Sequence, residues 1–308
     1  MSRLAERADG KPSGARAVSD TPRNPTAQTR PRPRRAGGST RAAGRAAGIT
    51  AVLVFTLFPA YFMLVSGVSE RAVSGTDALV PQTLSLDNFT YVLTEAGFLT
   101  YLRNSLLVAL ITVVGSSLLA LFAATAVARF RFRLRTSVLV MVLIVQMVPL
   151  EALVIPLFLQ ASDLGMLNSL IGLSIVYIAM SLPFAIWMLR GFVAAVPIEV
   201  EEAAYIDGAS WPRMFWSVLF PLVAPGLVAT GVFSFIVAWN EFILALTFLQ
   251  DGEKFTVAVG LRQFFQQHTT DWGALMAAST IITVPVMVFF LIVQRGLVSG
   301  LVQGAVKG

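Results

Sequence analysis

The chain has 308 residues, 56% of them hydrophobic and only 13% charged, with a formal net charge of +6, no cysteine and one histidine, His268. Without cysteine there is no disulfide scaffold, thiolate metal site, iron–sulfur centre or cysteine nucleophile, and one histidine excludes a zinc site built on several. A soluble domain usually carries roughly 25% charged residues, so an ordinary water-soluble enzyme is excluded as well, and the composition is that of a membrane protein.

Residues 1–45 are polar and hold eleven basic residues, from Arg3 to Arg45, among Pro, Gly, Ser and Thr. Such a segment buries too little apolar surface to offset its ordering entropy, and it is expected to be a disordered basic tail. It is read as a cytoplasmic tail near anionic lipid rather than as a nucleic-acid-binding arm.

Six long apolar runs follow, at Gly48–Val68, Asn104–Val127, Ser137–Leu159, Leu167–Leu189, Leu222–Leu249 and Leu275–Val293. About 20 residues of helix cross a hydrocarbon core roughly 30 Å thick, so each run predicts one transmembrane helix. The expected fold is therefore an all-α membrane protein of six transmembrane helices over residues 46–308. With the N-terminus inside, the segments 1–45, 128–136, 190–221 and 294–308 are cytoplasmic and hold 19 of the 23 basic residues. The excess of positive charge on that side places both termini in the cytoplasm.

Two carboxylates fall within spans, Glu151 in the third and Glu241 in the fifth. A charge facing lipid is costly, so each is expected to face the bundle interior or to find a partner. Trp239, Asn240 and Glu241 together offer an aromatic face and polar groups suited to sugar hydroxyls, so these three and Glu151 are candidate substrate-pathway residues. Helix–helix hydrogen bonding is the competing explanation for both acids. Prolines 149, 156, 183, 225 and 285 lie in or at the ends of spans, either as hinges or as bends tolerated by packing.

The loop at 197–221 is long, amphipathic and cytoplasmic. Pro197 suits a helix start, and Glu199, Glu201 and Glu202 sit near the positive end of that helix's dipole. Asp207-Gly208 signals a turn that ends the helix. Ser210 and Pro212 then begin a second short helix with an apolar stripe of Trp211, Phe215, Val218 and Leu219, and Pro221 is expected to break it before the fifth span. Anionic lipid repels so acidic a first half, which favours a docking surface for a cytoplasmic protein.

Glu202, Ala203, Ala204, Gly208 and Pro221 are spaced as in the EAA loop of ATP-binding-cassette importer permeases, with Val218 and Phe220 where Ile and Leu are usual. The chain resembles that family over residues 46–308. The resemblance implies a type I ABC importer permease (MetI-like) fold in a bacterial inner membrane. It also implies that Glu202, Ala203, Ala204, Asp207, Gly208 and Pro221 couple the chain to an ATPase. The end of the chain, Gly304 to Lys307 and Gly308, resembles one of the two permeases of maltose-transporter-type sugar importers, as do Asn104-Ser105 and Trp239 to Phe242. In that subgroup the C-terminal tail reaches between the ATPase subunits. The chain itself has no Gly-x-x-x-x-Gly-Lys-Ser/Thr loop. The expected partners are a second permease subunit, a cytoplasmic ATP-binding subunit dimer that carries ATP and Mg, an extracytoplasmic solute-binding protein and a sugar substrate. This chain is expected to bind no metal or cofactor and to catalyse nothing. Two alternatives stay open: an ABC permease for another small solute such as a polyamine or phosphonate, and an ion-coupled secondary transporter using Glu151 or Glu241.

Overall fold

A computed structural model describes residues 38–69, 83–265 and 270–305. Most of the basic tail, Arg71, His268, Lys307 and Gly308 lie outside the described residues. The chain divides into a short N-terminal unit, Met1–Leu53, and a main unit, Val54–Gly308.

Apolar composition and backbone hydrogen bonding make every long element a helix. The first helix, α1, runs Gly38–Gly67, so it takes in residues 38–45 that composition assigns to the tail. Next come α2 (Asp87–Thr94) and α3 (Phe98–Arg129). The third run forms two helices, α4 (Arg135–Val145) and α5 (Leu150–Asp163). The fourth is α6 (Leu170–Ala195), which extends six residues further toward the C-terminus than expected. The loop contains α7 (Ile198–Ile206) and α8 (Trp211–Met214). A π-helical turn, Phe215–Leu219, joins α8 to α9 (Phe220–Asn240). Short helices α10 (Ile243–Phe248) and α11 (Val257–Gly260) precede the last span, α12 (Trp272–Ala305).

Among the described residues five helices are long and apolar enough to cross a membrane. The third apolar run is a helix pair, α4–α5, whose halves meet at 98°, the geometry of a broken span or a re-entrant loop. This corrects the expected straight helix over Ser137–Leu159. Pro149 stands at the start of α5 and has no N–H to continue the ladder, and the residue before a proline is steered away from helical angles. Pro156, Pro183, Pro225 and Pro285 all lie inside unbroken helices.

In the main unit α3 packs along α6 and α9, and α9 also meets α12. Small residues bring these helices close: Gly226 of α9 lies against the Phe192 ring, which leaves no room for a β-carbon. A buried hydroxyl pair, Ser116 donating to Ser234 at 2.9 Å, links α3 to α9. Two apolar clusters result. The outer one includes Phe98, Tyr177, Phe235, Trp239 and Phe248, and the inner one includes Leu121, Leu189, Met214, Phe215 and Leu219. Large apolar side chains such as Leu110, Val114, Val288 and Ile292 remain exposed along the spans, as a surface solvated by lipid requires.

Candidate functional site

The segment 197–221 is built from two locally determined helices and one turn. The end of α7 is a Schellman motif: Ala209 N–H donates to the Ala204 carbonyl at 2.9 Å, and Gly208 N–H to the Tyr205 carbonyl at 3.0 Å. The motif needs a left-handed residue, and Gly208 supplies it with φ +81°. Pro212 then sits inside the first turn of α8, where no N–H is needed.

Pro221 does not break the chain, contrary to expectation. Trp211–Asn240 is one continuous helical stretch. An α-helix would press the Pro221 ring against the Ser217 carbonyl four residues back. The wider π turn relieves that clash, with Phe220 N–H bonding the Phe215 carbonyl five residues back. The second half of the loop is thus continuous with the fifth span. Stacked rings hold it in place: Phe215 lies 5.1 Å from Trp211 and 5.2 Å from Phe122 of α3.

The first half is tied down by a pairing not expected from sequence, although Glu201 itself is among the acids placed at the helix start. Glu201 is buried, and its Oε1 accepts from Arg129 Nε at 2.7 Å, while Arg129 Nη2 donates to the Val196 carbonyl at 2.9 Å. Arg129 is in the last turn of α3 and Glu201 in the first turn of α7, so each charge also complements its own helix dipole. The one signal in the sequence is that Glu201 and Ala204, three apart, share a face. That face is the inward one, with Ala204 half-buried against the inner core. Glu202, Ala203 and Asp207 are exposed, and so is Ile206, at 86%. The protein therefore presents an acidic and apolar knob on its surface.

The substrate-pathway candidates fare differently. Trp239 is only 3% exposed and stacks on Phe235 at 5.3 Å, so its face is part of the core. Asn240 is exposed and donates to the Ile236 carbonyl one turn back. Glu241 lies beyond the end of α9, not within the fifth span. Its carboxylate accepts from Leu244 N–H at 2.8 Å, from Ala245 N–H at 3.0 Å and from the Tyr177 hydroxyl, so it caps α10 and joins it to α6. This is the helix–helix alternative. Glu151 is exposed in the first turn of α5, beside the bend, with no hydrogen bond among the described residues. Replacing Glu241 with Ala removes the cap and strands the Tyr177 hydroxyl. The expected loss is about 1–2 kcal/mol of stability, read as a lower thermal midpoint. Glu241→Gln, which keeps acceptor capacity, should recover about half of that loss.

At the outer ends of the spans, Asn104 donates to the Glu253 and Phe255 carbonyls at 2.9 and 3.0 Å, and the Ser105 hydroxyl accepts from Val257 N–H at 2.8 Å. Asn168, at φ 55°, accepts from Gln250 and Asp251 N–H groups, and Lys254 Nζ donates to its carbonyl at 2.8 Å. The Asn-Ser pair is therefore a clasp on the outer loop 250–257.

Five long apolar helices and one bent apolar pair, with a helix–turn–helix at 197–221 whose second half runs on into α9, have the architecture expected of a transport permease. The relatives agree. Residues 116–303 match the family described as the binding-protein-dependent transport system inner membrane component, and the chain belongs to that family. It is 40% identical over 264 residues to the diacetylchitobiose uptake system permease protein DasC of Streptomyces coelicolor, covering 84% of this chain and 96% of that one. It is 35% identical to the trehalose transport system permease protein SugB of Mycobacterium tuberculosis, covering 88% of this chain and 100% of that one. It is 36% identical to the trehalose/maltose transport system permease protein MalG of Thermococcus litoralis, covering 85% and 95%. Among solved structures, a bacterial ABC transporter involved in import of the acidic polysaccharide alginate superposes with a TM-score of 0.72 at 23% identity, over 84% of this chain and 97% of that one, and so supports the fold.

Proposed function

We propose that this chain is one of two different permease subunits of an ATP-driven importer for a sugar or oligosaccharide. The observation that carries the reading is the exposed knob Glu202–Gly208, held from beneath by the Arg129–Glu201 pair and joined by the tight Gly208 turn to the stretch Trp211–Asn240, which runs through the π turn into α9. A segment so fixed transmits a push from a cytoplasmic partner to the spans, since it has no slack of its own. ATP and Mg are held by an ATPase dimer that grips this knob. Closure of that dimer switches the spans between outward and inward access. The C-terminal residues Lys307 and Gly308 reach toward the same ATPase subunits. A solute-binding protein delivers sugar at the outer face, and both termini lie in the cytoplasm. The sugar class follows the named substrates of the relatives, diacetylchitobiose, trehalose and maltose.

The test is reconstitution in liposomes with the neighbouring permease, ATPase and binding protein. ATP hydrolysis should rise, and labelled sugar should accumulate, with at least one of those three sugars. Accumulation that persists without ATP and collapses with an ion gradient would overturn the reading.

A further inference from the structure

Arg190 is a charge inside α6, which runs on to Ala195. It stands six residues before Val196, whose carbonyl accepts from Arg129 beneath the knob. At 1.5 Å per residue, that places Arg190 about 9 Å further into the span. Its guanidinium does not reach back toward the helix end. The guanidinium carbon lies 5.4 Å from the centroid of the Trp187 ring, one turn earlier, which is the direction in which helical side chains tilt. Arg190 Nε is buried without a hydrogen-bond partner, and so is Trp187 Nε1. Among the described residues no acid lies within ion-pair distance of Arg190. The acids of the apolar runs are placed elsewhere, Glu241 as the cap of α10 and Glu151 in the first turn of α5.

The side of α6 that carries this charge is open. Pro183, Trp187 and Arg190 follow at spacings of four and three residues, so they share one side of the helix. Ala185, Leu189 and Val193 form a separate stripe, buried in the inner cluster. On the Arg190 side, Met180, Pro183 and Phe184 line an apolar cavity of about 610 Å³ shared with α4, α5 and α9. An apolar hollow and an uncompensated cation therefore lie on the same helix side.

We propose that the second permease subunit seats a span on this side of α6 and supplies an Asp or Glu carboxylate to Arg190 and the Trp187 indole. This deepens the two-permease reading above and rests on it. A cation within a span is costly, and such residues face protein and pair. The guanidinium fork and an indole N–H are donors only, and a carboxylate is an acceptor-only group that also cancels the charge. A lipid phosphate lies at the helix end, the direction from which the guanidinium is turned away. A neutral sugar would accept the hydrogen bonds and leave the charge uncompensated.

The experiment purifies the full complex through a tag on this chain, in nanodiscs with and without anionic lipid, and measures how much second permease is retained. Arg190→Glu should retain about tenfold less, and Arg190→Lys, which keeps the charge, should retain most of it. In the Arg190→Glu background each Asp and Glu in the spans of the second permease is changed in turn to Lys. One such reversal should restore retention to within about twofold. Arg190→Gln covers the case in which Arg190→Glu does not fold: it should lose less second permease, with its helical circular dichroism unchanged. Undiminished retention in Arg190→Gln or Arg190→Glu overturns the pairing, and so does a loss that no reversal restores. A complex that keeps the second permease only in anionic lipid, and loses that requirement in Arg190→Gln, also overturns it and gives the cation to a lipid phosphate. If the unaltered chain retains no different permease in either lipid, the two-permease reading falls by itself. If it retains one regardless of Arg190, only the pairing falls.

Discussion

Gly208→Val should leave membrane insertion intact and reduce sugar-stimulated ATP hydrolysis and uptake about tenfold or more, the effect of losing ~1.4 kcal/mol or more at the coupling contact. The reason is conformational. Gly208 has φ +81° and open space around the position of a β-carbon, so valine meets no neighbour but is forced into a backbone region it avoids. A left-handed residue with a β-carbon costs roughly 1–2 kcal/mol, and a β-branched one sits at the top of that range. Relief comes from opening the Schellman bonds to Ala204 and Tyr205, which moves the exposed knob and nothing in the core. Gly208→Ala should show the same defect in milder form. Glu202→Lys tests the surface itself. Glu202 is exposed and has no hydrogen bond or ion pair among the described residues, so its reversal leaves the fold alone and repels whatever basic groove receives it. Full uptake by both Gly208→Val and Glu202→Lys would remove the coupling assignment.

Breaking the Arg129–Glu201 pair should have the larger effect on stability. The two side chains are 12% and 9% exposed, and they join the end of α3 to the start of α7. Glu201→Ala leaves Arg129 half-desolvated with only the Val196 carbonyl, and Arg129→Ala leaves a buried carboxylate alone. Loss of one partner of a buried pair costs about 3–5 kcal/mol, which should appear as a clear fall in the thermal midpoint of the purified complex. The double replacement Arg129→Met with Glu201→Leu should recover most of that stability, because an apolar pair of similar volume replaces a buried ion pair at little cost. Uptake should recover less than stability if the pair also sets the angle of the coupling helix. A double variant no more stable than the singles would show that the pair is not coupled as the geometry indicates.

How far each residue could be read in advance depended on the range of the interaction that places it. Gly208, Pro212 and the acidic start of α7 obey turn and cap chemistry acting over a few residues, and their expected conformations are the observed ones. Pro221 obeys the same local rule, yet the helix answers it with a π turn instead of a break, because packing of Phe215 and Leu219 in the inner core keeps the stretch helical. Glu241 was conspicuous as a charge in an apolar run. Its purpose depends on Tyr177, 64 residues away, and on a helix break before α10 that hydropathy does not register. Asn104 is one polar residue at a span end until the loop 149 residues later is laid against it.

The low charge and the apolar runs by themselves determined a helical membrane protein, because a bilayer demands internally bonded backbone and a fixed length of apolar chain. The asymmetry of the +6 charge supplied the expected orientation by the same reasoning. Tertiary structure alone decided that the third apolar run is bent by 98°, that Glu201 anchors α7 while Glu202 is exposed, and that Trp239 belongs to the core. Those outcomes depend on which helices meet, and composition carries no record of contacts between residues so far apart in the chain.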